Sequence, residues 1–176
     1  AEADVVFESF RPGVAERLGV DQDTLATDNE DLVYVSLSGY GQDGPNADRA
    51  GHDLNYAGMT GLLDMTRRNA SSPPTIPGYP AVDMASGLFA AFSIVSALFD
   101  RETGGGGSYV DVAMTDVMLS FSQIYAGQAL ADDDPRPGGT MLTGKYPCYD
   151  VYRTADDRWL TVAALEPKFW HELCTA

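Results

Sequence analysis

The chain has 176 residues, room for one domain with a sizeable core or for one domain and part of another. It carries 26 Asp and Glu against 11 Lys and Arg, a formal net charge of −15, and an acidic surface of that kind repels nucleic acid and anionic membrane. Of the acids 19 are aspartate, and only 2 of the cations are lysine; this composition suits a protein kept soluble in concentrated salt, where screening removes self-repulsion, so a halophilic, cytoplasmic source is expected over an ordinary acidic cytosolic one.

The chain opens on Ala1-Glu2-Ala3-Asp4 and passes at once into Val5-Val6-Phe7, a β-type run expected as an interior strand, so it reads as part of a longer chain. From Arg11 to Gly19, proline at the start and glycine at the end punctuate a short helix. Leu32 to Ser38 is apolar, with β-branched and aromatic residues, and predicts a second strand. After the loop Gly39 to Pro45, apolar residues recur at helical spacing from Asp53 to Met65, read as one helix. The proline-rich stretch Ser71 to Pro80 excludes regular structure. It delivers the chain to the strongest periodicity present, a helix from about Met84 to Asp100 with Met84, Leu88, Phe92, Val95 and Phe99 on one face.

Gly104 to Gly107 lacks the lysine and Ser/Thr of a phosphate-binding loop and reads as a helix-to-strand turn into Tyr109 to Met114. Strands alternating with helices predict an α/β layer fold with a parallel sheet. A helix from Asp116 to about Leu130 runs into Asp132 to Gly139, a charged, proline-rich segment that marks a domain boundary. Beyond it, Tyr149 to Thr154 and Trp159 to Ala164 form an expected antiparallel hairpin, and Glu166-Pro167 starts a last helix. No apolar run approaches the roughly 20 residues of a membrane span. Cys148 and Cys174 have neither metal nor disulfide spacing and follow no signal-peptide pattern, which favours a reduced cytosol.

His52, in Gly51-His52-Asp53, is one of 2 histidines. An ordinary pKa of about 6.5 lets it take or give a proton at neutral pH, and a helix N-terminus favours the neutral, proton-accepting form; its plain alternative is a histidine hydrogen-bonded near a helix start. Asp83 opens the next long helix, so the two helix starts would aim two proton-transfer groups at one point. Its plain alternative is an N-cap, and capping would hold it ionised unless burial lifts its pKa. Glu166 reads as a helix-start acid or as a carboxylate orienting His52. Arg11 and Arg17 read as phosphate ligands or as surface decoration.

Taken together, Arg11 to Gly19, Ser38 to Pro45, Gly51-His52-Asp53-Leu54-Asn55-Tyr56 and Gly107 to Met114 resemble the family III CoA-transferases, and the resemblance runs over essentially the whole chain. Gly51-His52-Asp53, followed by Asp83 and by Leu165-Glu166-Pro167-Lys168-Phe169, looks most like its α-methylacyl-CoA racemase branch. That resemblance implies a Rossmann-like large domain over 1–113, a linker helix and loop over 114–144, and the truncated start of a smaller α+β domain over 145–176, in an interlocked homodimer. It implies that His52 and Asp83 are the acid/base pair, with Glu166 as a further catalytic residue and with Arg17, Tyr149 and Asp53 toward substrate and CoA. No metal and no cofactor is implied beyond coenzyme A as part of the acyl-CoA thioester. Tyr79 departs from the polar amide expected four residues before the aspartate. The competing readings are a CoA-transferase in which Asp83 is a nucleophile forming an acyl anhydride and then a CoA thioester, and a non-catalytic CoA-binding module.

Overall fold

The computed structural model describes residues 2–176. The chain folds as two compact units: the first runs to Leu62 and resumes over Pro77–Gln123, and the second comprises Leu63–Ile76 and Ile124–Ala176.

In the first unit β1 (Val5–Glu8), β2 (Val33–Ser38) and β3 (Ser108–Ala113) form a parallel sheet in the order β1-β2-β3. The expected α/β layer fold is therefore present. Val5–Glu8 is an edge strand, contrary to the interior position its apolar run suggested, and Phe7 is 49% exposed. β2 is the interior strand. Every one of its residues is buried, because a parallel strand covered on both faces needs a nearly continuous apolar run and Val33-Tyr34-Val35 supplies it. Val33, Val35 and Leu37 pack with Val112 of β3 and with Ala90 and Ala97 of the long helix. Burying each valine is worth about 1.5–3 kcal/mol.

Short helices α1 (Val14–Leu18) and α2 (Gln22–Ala26) connect β1 to β2; the second, not foreseen, starts where Asp21 accepts the Thr24 N–H at 3.1 Å. The helix expected over Asp53 to Met65 is broken into α3 (Asp53–Met59) and α4 (Leu62–Met65), since Gly61 at φ +80 takes a conformation that ends a right-handed helix. The long helix α5 spans Ala81–Asp100. Its sheet side is a stripe of small residues, Val82, Ser86, Ala90 and Ala97. The large apolar stripe that made its periodicity so strong faces outward, with Leu88, Phe92 and Phe99 about 70% exposed.

With the wide turn that follows it, α5 is also long and apolar enough to meet the length and composition of a membrane span, which corrects the expectation that no run would. Here it packs on β2 and β3 and against α3. Gly104 and Gly106 in and after that turn have positive φ, as the predicted helix-to-strand turn requires. The helix expected from Asp116 to Leu130 is likewise two, α6 (Met114–Phe121) and α7 (Gln123–Leu130), separated at Ser122.

The second unit holds the antiparallel hairpin of β4 (Tyr149–Arg153) and β5 (Trp159–Ala163), as expected. Its turn carries Asp157 at φ +62, a conformation aspartate tolerates better than most residues. The Arg68 guanidinium grips the Asp150 carboxylate through both oxygens, Nη2 to Oδ2 at 2.7 Å, tying the 63–76 segment to β4 within this unit. Helix α8 (Pro167–Thr175) begins with Glu166 at its N-cap and proline in its first turn.

Candidate active site

Parallel strands bring the loops after their C-terminal ends to one edge, where α/β sheets characteristically open a crevice. A cleft of about 420 Å³ lies there. Ser9, Phe10 and Arg11 reach it from the end of β1, Ser38, Gly39 and Tyr40 from the end of β2, and Arg49, Gly51 and His52 from the loop into α3. Ser38 is buried and its hydroxyl has no partner among the described residues, so it is a donor facing an unfilled cleft. Neither Arg11 nor Arg49 is held in an ion pair among the described residues, which leaves two cations for an anionic ligand.

His52 is the N-cap of α3, in extended backbone conformation (φ −135, ψ 172). Asn55 fixes that start from both sides: its side-chain oxygen accepts the His52 N–H at 3.0 Å and its own N–H donates to the His52 carbonyl at 2.8 Å. Beneath the loop, Tyr56 is buried and meets Tyr40 edge-on at 5.1 Å between ring centroids. The packing is close enough to demand glycine at two places. A Cβ on Gly39 would enter the Tyr56 ring, and one on Gly51 would stand 2.7 Å from a Tyr56 ring carbon and 2.9 Å from the Tyr40 hydroxyl. The imidazole is thus carried on an exposed, firmly built loop end.

Asp83 lies in the first turn of α5 but does not cap it. The N-cap position is Pro80, which has no polar side chain, and the capping acceptor comes from α3 instead: Asp53 Oδ2 accepts the Val82 N–H at 2.7 Å and the Asp83 N–H at 3.1 Å. The plain reading of Asp83 as an N-cap is therefore replaced by Asp53 in that role. Freed from the backbone, the Asp83 carboxyl is raised above the usual carboxylate range, chiefly by burial and then by the Asp53 charge, while His52 pulls it back. Asp83 and His52 are thus electrostatic neighbours, and the aspartate can hold a proton more readily than a solvated one.

The other expected site residues are placed less centrally. Arg17 is exposed in the last turn of α1, and Arg11 rather than Arg17 lines the cleft. Tyr149 and Glu166 belong to the second unit: Tyr149 opens β4 and lines a cleft of that unit beside Asp150, and Glu166 is an exposed N-cap whose side chain makes no capping bond. Tyr79 is 64% exposed. Arg49 was missed because it stands in the irregular segment Asn46-Ala47-Asp48-Arg49-Ala50, where no periodicity marks a role. Ser38 was missed because it reads as the polar end of a strand. No group of three or more His, Cys, Asp or Glu side chains is placed to hold a metal among the described residues.

An imidazole and a proton-retaining carboxyl beside an arginine-lined cleft, at the C-terminal edge of a parallel α/β sheet, make a site fit for proton or acyl transfer on an anionic ligand. The chain belongs to the CoA-transferase family III, whose family model matches residues 1–176. It is 37% identical to human α-methylacyl-CoA racemase over 172 residues, covering 97% of this chain and 45% of the racemase. It is 31% identical over 179 residues to the succinyl-CoA:mesaconate CoA-transferase of Haloarcula hispanica, covering 99% of this chain and 44% of that one. Among solved structures, a CaiB/BaiF family protein from Brucella suis superposes with a TM-score of 0.84 at 30% identity, over 99% of this chain and 46% of that chain. The chain spans about half the length of the curated relatives it matches.

Proposed function

We propose that the protein acts as an acyl-CoA racemase of the α-methylacyl type, inverting the α-carbon of a 2-methylacyl-CoA thioester by 1,1-proton transfer. The observation that supports this best is the pairing of His52 with an Asp83 whose carboxyl is raised by burial and by a neighbouring carboxylate, the tuning expected of a group that must be neutral in half of a catalytic cycle. One of the two residues takes the α-proton. The C–H electron pair moves into the enolate, whose charge sits on the thioester oxygen, and the other residue delivers its own proton to the opposite face of the carbon. The reverse reaction exchanges their parts. The first-turn N–H groups of Val82 and Asp83 are engaged by Asp53, so the donors left for the enolate oxygen are the first N–H groups of α3, which have no intrahelical acceptor, and the Ser38 hydroxyl. Arg11 and Arg49 are the cations proposed for the phosphates of CoA, with Arg17 as a more distant one. Tyr149 and Glu166 keep the substrate-side and orienting roles that the family resemblance gives them.

The second reading is a CoA-transferase with Asp83 as nucleophile, and it draws on the transferase activity printed for the Haloarcula relative. The raised Asp83 carboxyl argues against it, because a nucleophile must be ionised. Deuterium exchange at the α-carbon in the absence of any acceptor acid separates the two: a racemase exchanges without an acceptor, and a transferase needs one. We further propose an interlocked homodimer, a salt-adapted cytoplasmic setting and a division of the chain into 1–113, 114–144 and 145–176, in line with the acidic composition and the family.

A further inference from the structure

We infer that Asp53 is the positioning residue of the site: a strut that joins the helix start bearing His52 to the helix start bearing Asp83 and fixes the distance between the two proton-transfer groups. The inference rests on the racemase reading of that pair. The geometry is specific. Asp53 follows His52 in sequence, so its backbone moves with the imidazole, and its Oδ2 binds the N–H of Asp83 itself and of the preceding Val82, at 3.1 and 2.7 Å.

Nothing else fills that task, because Pro80 at the head of α5 has no side-chain acceptor and the next N–H, that of Met84, is already bonded to the Pro80 carbonyl at 3.1 Å. Asn55 locks the His52 end by its paired bonds. Val82, fully buried against the sheet, anchors the other end. A carboxylate occupied by two backbone donors has little left to offer a substrate, which moves Asp53 from ligand contact to architecture. Its charge has a second consequence. The charged and titratable groups bearing on the Asp83 carboxyl are Asp53 and His52 of α3, with Tyr56 of the same helix coupled to it, and among these Asp53 favours the protonated acid.

The test compares Asp53→Asn, which keeps an oxygen acceptor and drops the charge, with Asp53→Ala, which loses both. In the full-length chain, α-proton exchange of a 2-methylacyl-CoA is followed as a function of pH. Asp53→Ala should lower kcat by about ten- to a hundredfold with KM nearly unchanged, the scale of a misplaced catalytic group. Asp53→Asn should stay within about fivefold. It should also move the acid limb of kcat/KM to lower pH, for the enantiomer whose proton Asp83 removes, because the charge opposing ionisation is gone. Amide hydrogen exchange over Val82 and Asp83 reads the strut without reference to the reaction, and protection there should fall in Asp53→Ala and persist in Asp53→Asn. Unchanged protection in Asp53→Ala, or both variants raising KM alike at wild-type kcat, would overturn the inference. Failure of the racemase reading shows elsewhere, as wild-type exchange surviving in His52→Ala and Asp83→Ala while the amide result at Val82 still stands.

Discussion

The two units treat their carboxylates in opposite ways. Around the C-terminal edge of the parallel sheet, Asp83 and Asp111 are raised above the usual range, and in both cases burial is the largest cause. In the second unit Asp150 is pulled down to about 2 by its hydrogen bond to Arg68, and Asp156 is lowered by bonds to Thr154 and Arg158. The guanidinium-gripped acids are pinned ionised and can only hold structure together. The buried, arginine-free acid is able to exchange its proton, and it is the one next to a histidine. Position relative to the sheet accounts for part of this, since Asp21, capping α2 in the first unit, is lowered by Thr24 as any exposed cap would be.

The largest expected break in this contrast is catalytic. His52→Ala and Asp83→Ala should each cut α-proton exchange by two to four powers of ten, the scale of a lost acid or base, whereas Asp156→Ala leaves the rate within twofold; a single-turnover exchange assay decides. Packing gives the next effect. Val35→Ala, at a fully buried position of β2, should cost about 1.5–3 kcal/mol, against less than about 0.5 kcal/mol for Leu160→Ala on the half-exposed hairpin, as read by denaturant midpoints at constant slope. Gly39→Ala pushes a methyl into the Tyr56 ring and should cost about 1–3 kcal/mol, with loss of activity from the displaced loop. Gly127→Ala, which meets open space in α7, should be neutral or stabilising by up to about 1 kcal/mol.

The smallest effect concerns the pinned pair. The folded pKa of Asp150, about 2, lies below the ordinary 3.8, so the pair's contribution is fully present above the ordinary value and is lost as pH falls toward the folded one. Thermal midpoints of Arg68→Ala and the parent should therefore differ slightly near neutral pH, less in high salt, and converge as pH drops toward 2.

Much of this was legible in the residues. The alternation of β2, α5 and β3 follows from apolar runs of the right period, and the hairpin follows from two β-rich segments around Asp156-Asp157. Three features were hidden. The breaks at Gly61 and Ser122 fall inside patterns whose apolar spacing continues across them, so periodicity alone joins what backbone conformation separates. The face of α5 that meets the sheet is built from Val, Ser and Ala, because close approach of helix to sheet favours small residues. The outward stripe of Leu and Phe dominates the periodic signal instead. The third is the Asp53 bridge. A residue next to His52 and thirty positions from Asp83 shows no spacing that relates it to the second helix; only the fold makes its carboxylate the cap of α5. His52 and Asp83 themselves could be read, since each stands at a helix start next to glycine or proline.

The most direct measurement is α-proton exchange in D₂O at high salt, with the full-length enzyme, a single enantiomer of a 2-methylacyl-CoA and no acceptor acid. The account predicts deuterium at the α-carbon together with loss of optical activity. An absence of exchange, with CoA passing to a free carboxylic acid once one is added, would contradict it and make Asp83 a nucleophile.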